Sequence, residues 1–149
     1  MKVAECMSRE VETVTPDQPI REAAQFMLRT DTGALPVCDS DNLVGMITDR
    51  DIAVRAIAEG RGPDTPVRDA MTDDVLFVYE DQEVEEASLL MSDRQVRRLP
   101  VKSREDDRLV GIVSLADISR SDQADAATVA LGGVTDPGGE HNQSNEDEA

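Results

Sequence analysis

Apolar positions along the chain follow two different periods, which predict alternating helices and strands. Between 20 and 29, Ile20, Ala23, Ala24 and Met27 are apolar and recur on one side of a helix. This i, i+3, i+4, i+7 spacing is typical of a helix that packs through one face. Short runs rich in Val, Leu and Ile, bounded by Gly, Pro, Asn and Asp, predict strands around it. The strands predicted in this half are 11–14, 34–38 and 43–47, and a last helix is predicted to start at Thr48 and stop at Gly60.

The whole pattern occurs twice, so we infer an internal repeat. A shift of 64 residues places Leu35-Pro36-Val37 on Leu99-Pro100-Val101, and a shift of 66 places Leu43-Val44-Gly45 on Leu109-Val110-Gly111. The second half accordingly has predicted strands 75–78, 98–101 and 109–113, a helix 84–93, and a last helix starting at Ser114. We predict an α+β fold of two β-α-β-β-α repeats that pack with pseudo-two-fold symmetry.

The repeats set the expected boundaries within the chain of 149 residues. We expect a first repeat over 1–60, a Gly- and Pro-rich linker over 61–66, and a second repeat over 67–121. The remaining residues, 122–149, are acidic and poor in large apolar side chains. This composition predicts a disordered tail.

Net charge excludes several classes of partner. The formal charge is −17, from 32 acids and 15 bases. Nucleic-acid phosphates and anionic membrane surfaces both require clustered Lys and Arg, so neither is expected to bind. No apolar run reaches the ~18 residues of a membrane span, and the first residues contain no secretory apolar region. We therefore expect a cytoplasmic protein, and either salt adaptation or biased codon usage accounts for its acidity.

Few residues are suited to catalysis or metal binding. The two cysteines, Cys6 and Cys38, are too few for a disulfide scaffold, and the only histidine, His141, lies in the tail. A structural zinc site and histidine-dependent nucleophilic catalysis are therefore not expected. Nothing in the sequence requires an enzyme. A redox role for the cysteines stays open as a further alternative.

Two segments carry a family resemblance, GALPVCDSDNLVGMITDRDI and RRLPVKSREDDRLVGIVSLADI. With their order and doubling, they resemble the CBS domain over residues of about 3 to 120. The resemblance implies a non-catalytic module with two clefts between the repeats. It implies no required cofactor, but AMP, ADP, ATP, NAD(H) or S-adenosylmethionine as regulatory ligands.

In that family the [ST]-x-x-D motif holds the ribose, and here it is Thr48/Asp51 and Ser114/Asp117. A carboxylate can accept two hydrogen bonds from a vicinal diol. The same spacing is also typical of a helix N-terminal cap, and both roles can hold together.

The resemblance also implies two unequal clefts, because a basic residue before the LPV strand often contacts phosphate. The second repeat has Arg97 and Arg98 at this place, and Arg98 aligns best, whereas the first has Gly33 and Ala34. Solvent-facing arginines remain the alternative. The expected better cleft comprises Ser114, Asp117, Arg98, Arg97, Arg9, Glu10 and Val11. The expected weaker cleft comprises Thr48, Asp51, Gly33, Ala34, Asp73, Asp74 and Val75.

Two functions remain open from the sequence. One is a ligand-responsive regulator that signals to an unknown protein target, and the other is an adaptor with vestigial clefts. A homodimer through helix faces is expected, since Phe26 and Leu90 lie beside the main apolar stripes and Leu89 widens that of the second helix. The alternative is that these side chains fill out the core of the monomer. Internal salt bridges at Asp117 and Arg98 would favour the adaptor function over the regulator.

Overall fold

The computed structural model describes residues 1–121 and 131–133. The predicted disordered tail, 122–149, therefore lies outside the described residues, except for 131–133, which are helical.

Nine helices and strands, labelled here in chain order, form the two repeats within the described part of the chain. The first repeat contains α1 (Ile20–Thr30), β1 (Ala34–Asp39), β2 (Asn42–Thr48) and α2 (Asp49–Asp51), which continues as a π-helical turn (Ile52–Ile57). The second contains β3 (Val78–Tyr79), α3 (Val84–Arg94), β4 (Arg98–Lys102), β5 (Leu109–Ser114) and α4 (Leu115–Ser119). Short 3-10 turns at Val3–Glu5 and Val67–Asp69 precede them. The predicted α+β class and its doubling are confirmed.

Most predicted elements agree with the structure to within one or two residues, but the first strand of each repeat does not. Instead of a strand over 11–14, the structure has a single parallel bridge between Val14 and Val37. Its counterpart is reduced to Val78–Tyr79, which pairs in parallel with Val101 and Lys102. Both segments lie beside a strand but leave it after one or two residues. The apolar pattern therefore predicted longer strands than the structure contains.

The compact units of the structure do not follow the sequence repeats. One unit is continuous, Glu12–Val75, and we call it the continuous unit. The other joins Met1–Val11 to the described residues from Leu76 onward, and we call it the discontinuous unit. The segment that precedes each repeat thus packs with the other repeat.

Matching hydrogen bonds hold the two exchanged segments. In the discontinuous unit, the amide of Val3 donates to the carbonyl of Gln82 at 2.8 Å. In the continuous unit, the amide of Val67 donates to the carbonyl of Gln18, also at 2.8 Å. Each segment then forms an antiparallel bridge at the outer edge of a sheet, Ser8 with Ile112 and Thr72 with Met46.

A glycine in each edge strand permits this close approach. A Cβ on Gly111 would lie 2.7 Å from the Sδ of Met7 and 2.8 Å from the carbonyl oxygen of Ser8. A Cβ on Gly45 would meet Met71 and Thr72 at 2.7 and 2.9 Å. Since a backbone oxygen cannot rotate away as a side chain can, each exchanged segment requires a glycine opposite it.

Each unit has its own aliphatic core. In the continuous unit the core includes Ile20, Leu35 and Ile47, and in the discontinuous unit it includes Met91, Leu99 and Ile118. All six side chains except that of Leu35 are at most 1% exposed, and Leu35 is 2% exposed. These cores fix the strands whose ends carry the candidate site residues.

Candidate functional site

The two [ST]-x-x-D motifs lie where β2 and β5 end and the short helices α2 and α4 begin. At the second motif, the amide of Asp117 donates to the Ser114 hydroxyl at 3.1 Å, and the amide of Ser114 donates to Oδ2 of Asp117 at 2.9 Å. Thr48 and Asp51 form the same pair of bonds, both at 3.0 Å. The capping role weighed from the sequence is therefore present in both repeats, and it uses one oxygen of each carboxylate.

The second oxygen of each carboxylate pairs with an arginine of the same helical segment. Arg120 Nη2 donates to Oδ1 of Asp117 at 2.9 Å, and Arg55 Nε lies 3.6 Å from Oδ1 of Asp51. The side chain of Arg120 is 72% exposed, whereas that of Asp117 is 16% exposed. An exposed ion pair of this kind contributes little to stability, so Arg120 can move aside at small cost.

The strand opposite the second motif carries a cation, and the strand opposite the first does not. Arg98 of β4 is directly opposite Ser114 of β5, and Ala34 of β1 is directly opposite Thr48 of β2. The side chain of Arg98 is exposed, and no residue in the described part of the chain pairs with it. Its neighbour Arg97 is also exposed, while its backbone carbonyl accepts a hydrogen bond from the amide of Leu115 at 2.8 Å.

An acid occupies the corresponding place in the continuous unit. The carbonyl of Gly33 accepts from the amide of Asp49 at 2.9 Å, and a Cβ on Gly33 would lie 2.9 Å from Oδ2 of Asp49. Asp49 thus faces the backbone at which the second repeat has an arginine. Sequence reasoning did not name Asp49, although the repeat alignment shows an acid there where the second repeat has Leu115.

The structure keeps each predicted set of site residues within one compact unit. Arg9, Glu10 and Val11 lie in the discontinuous unit with Ser114, and Asp73, Asp74 and Val75 lie in the continuous unit with Thr48. The bridge of Ser8 to Ile112 is antiparallel, so the chain beyond Ser8 runs towards Leu109 and away from Ser114. Arg98 is thus an immediate neighbour of the motif at the end of β5. Residues 9–11 lie instead beside the beginning of β5.

The thiols are poor candidates for chemistry. Burial raises the pKa of the Cys38 thiol to about 11, with a further contribution from the charge of Asp41. Burial also raises the pKa of Cys6, helped by Asp117. Within residues 1–121 and 131–133, no group of three or more His, Cys, Asp or Glu side chains is arranged to hold a metal ion. No helix in those ranges is both long and apolar enough to cross a membrane.

The repeated order of a helix, two strands and a short helix, with a motif at each last helix start, can be compared with known families. A family model described as the CBS domain matches residues 3–57 and again residues 67–123. The chain belongs to the CBS domain family. It is 43% identical over 117 residues to the CBS domain-containing protein YhcV of Bacillus subtilis, an alignment that spans 78% of this chain and 82% of that protein.

Solved CBS domain structures have the same fold, and some of them hold adenosine compounds. The CBS domain pair of protein MJ0100, in complex with 5′-methylthioadenosine and S-adenosyl-L-methionine, is 32% identical with a TM-score of 0.71, covering 80% of this chain and 94% of that one. The structure of CBSX2 in complex with AMP is 27% identical with a TM-score of 0.71, covering 80% of this chain and 93% of that one.

Proposed function

We propose that this CBS protein is a non-catalytic regulatory module that binds an adenosine-containing ligand through its discontinuous unit. The observation that carries the proposal is the pairing of Arg98 with Ser114 across adjacent strands, next to Asp117. This places an exposed cation beside a carboxylate in a chain that is otherwise strongly acidic. The adenosine compounds bound by the MJ0100 pair and by CBSX2 support the same class of ligand.

The two groups have separate tasks. Asp117 accepts hydrogen bonds from the ribose diol through Oδ1, after Arg120 has moved aside, and its Oδ2 keeps the cap of α4. Arg98 contacts the phosphate through its planar guanidinium. Among phosphorylated ligands AMP is favoured over ATP, because the net charge of −17 repels additional phosphate charge.

The equivalent site of the continuous unit is expected to be weaker. It has no arginine opposite Thr48, and Asp49 lies against Gly33. Asp73 and Asp74 are also exposed acids in this unit. These charges disfavour an anionic ligand. We therefore expect this site to bind an adenosine compound without phosphate, or no ligand.

Calorimetric titration of Asp117→Asn tests the ribose contact. Loss of the carboxylate charge is expected to weaken AMP binding about tenfold or more, since charge-assisted hydrogen bonds exceed neutral ones by roughly 1.4 kcal/mol. Asp51→Asn is the matched control, because it changes the same cap in the other unit and is expected to leave AMP affinity unchanged. Equal effects of both variants would contradict the assignment.

Arg98→Ala separates the phosphate contact from the nucleoside contact. Affinity for AMP should fall about tenfold, while affinity for 5′-methylthioadenosine, which has no phosphate, should stay the same. A parallel loss for both ligands would mean that Arg98 supports the fold of the site rather than the phosphate.

A second candidate function is an adaptor with vestigial ligand sites. The observation that favours it is that both carboxylates form ion pairs with arginines, Asp117 with Arg120 and Asp51 with Arg55. If AMP, ADP, ATP and S-adenosylmethionine all fail to bind, this function stands and the ligand-binding one fails.

We also infer that the protein forms a homodimer and that it signals ligand binding to a protein target. Leu28 and Leu89 support it, since they are 84% and 57% exposed on the helices α1 and α3. Large apolar side chains on helix faces are typical of contact surfaces. Sedimentation equilibrium would show a dimer, and a monomer at all concentrations would contradict it.

A further inference from the structure

The C-terminal end of α3 contacts a short segment from far along the chain, Leu131–Gly133. Gln95 follows α3 in a left-handed conformation with φ 55° and is only 9% exposed. Its Nε2 donates to the carbonyl oxygen of Gly133 at 3.0 Å. A Cβ on Gly133 would overlap the Oγ and Cα of Ser92, so the backbone of the segment lies directly on the helix.

This contact suits the second repeat only. The residues at the same places in the first repeat are Leu28 and Asp31. The side chain of Leu28 would occupy the space that Ser92 leaves to the glycine backbone. Asp31 adopts the same left-handed conformation as Gln95, with φ 53°, but its carboxylate cannot donate to a carbonyl. The surface on α3 is therefore specific for the segment in both shape and hydrogen bonding.

The segment is also chemically distinct from the sequence around it. Residues 126–135, AATVALGGVT, contain no charged side chain, although acids flank them at Asp125 and Asp136. In a chain with a net charge of −17, the uncharged residues Leu131–Gly133 can lie on a helix without electrostatic repulsion.

The covered surface belongs to the helix face that self-association would use. Leu89 stands one helical turn before Ser92, on the same side of α3, and is 57% exposed. We propose that Leu131–Gly133 is a built-in cover for the end of α3, which competes with a second copy of this chain for the face formed by Leu89, Ser92 and Gln95. The proposal rests on the homodimer inferred above and is independent of ligand binding.

Two neighbouring glycines provide a matched test in the full chain. Gly133→Ala introduces a methyl group that collides with Ser92, whereas a Cβ on Gly132 has no atom within 4 Å. Gly133→Ala is expected to shift the NMR signals of the Gln95 side-chain amide and to speed its exchange with water at least tenfold. The dimer dissociation constant, from sedimentation equilibrium, should fall several-fold. Gly132→Ala should change neither.

A second variant approaches the contact from the helix. Ser92→Leu introduces the residue of the first repeat and should release the segment as Gly133→Ala does. Unchanged Gln95 signals in both variants would overturn the contact, and released signals with an unchanged dissociation constant would overturn the competition. AMP titration of the same samples keeps the outcomes apart, because a failure to bind AMP refutes ligand sensing but not the cover.

Discussion

At the scale of single residues, burial determines the chemistry of the thiols. Cys38 is 5% exposed and lies in β1, where its pKa rises to about 11 through loss of solvation first and the charge of Asp41 second. A thiol with a raised pKa is almost entirely protonated near neutral pH, and the thiol form is a poor nucleophile. This argues against a redox function for Cys38.

The shift makes the stability of the protein depend on pH in the alkaline range. The folded protein holds a proton on Cys38 that the unfolded chain releases from about its ordinary pKa of 9.0. The contribution of Cys38 to stability is thus fully present below pH 9 and is lost as pH rises towards 11. Urea unfolding at pH 8 and pH 10.5 should show a smaller decline for Cys38→Ala than for the parent, and equal declines would contradict the shift.

Residue identities alone predicted the caps formed by the two motifs, because each motif lies in one short segment. The pairing of Arg98 with Ser114 follows from strand register, which the repeated Leu-Pro-Val and Leu-Val-Gly segments indicate. The place of Asp49 could not be predicted in the same way. Its approach to Gly33 depends on side-chain direction and backbone geometry, which are set by packing rather than by the local pattern.

At the scale of elements, the helix caps have a structural role that is separate from any ligand. Thr48 and Ser114 each accept a hydrogen bond from the amide three residues on, and their backbone amides donate to the carboxylate of that residue. The caps therefore fix the start of each last helix whether or not the carboxylate also binds ribose.

Thr48→Ala measures the cap where ligand binding is expected to be weak. Removal of the hydroxyl leaves the amide of Asp51 without its acceptor, which should cost about 1 kcal/mol of unfolding free energy. Thr48→Ser is the control, since it retains the hydroxyl and should cost much less. Chemical denaturation gives both values, and an equal loss in the two variants would show that the methyl group matters rather than the cap.

Elements with a full period of apolar residues were predicted well, and irregular ones were not. The helices α1 and α3 agree with their predicted ranges to within one residue, because an apolar stripe runs along each helix. The last helix of the first repeat is regular only over Asp49–Asp51 and then becomes π-helical, with the amide of Ala58 donating to the carbonyl of Ala53. A period of 3.6 contains no signal for this change in hydrogen bonding.

At the scale of the whole molecule, the exchange of the segments before the repeats is the feature that sequence pattern could not predict. Val3 and Val67 are apolar residues at equivalent places in the repeat, and each fits either core by size. The structure buries both completely, Val3 in the core of the discontinuous unit and Val67 in that of the continuous unit.

Truncation of these two valines should therefore loosen the repeat that is distant in sequence. Val3→Ala is expected to cost about 2 kcal/mol and to speed hydrogen exchange in α3 and β5, while α1 and β2 change less. Val67→Ala is the reciprocal variant and should act on α1 and β2. Hydrogen exchange followed by mass spectrometry distinguishes the regions, and a loss confined to each valine's own repeat would refute the exchange.

The exchange also sets an order of events during synthesis. The partner of Ser8 is Ile112, which is synthesised 104 residues later, so the segment around Ser8 waits for its partner. At roughly 5–20 residues per second this delay is about 5–20 s, during which the strand that Ser8 joins has not yet been made. Cutting the gene at the linker would give two fragments that each carry the other's missing segment. Such fragments should be produced together, because each completes its fold only on the other.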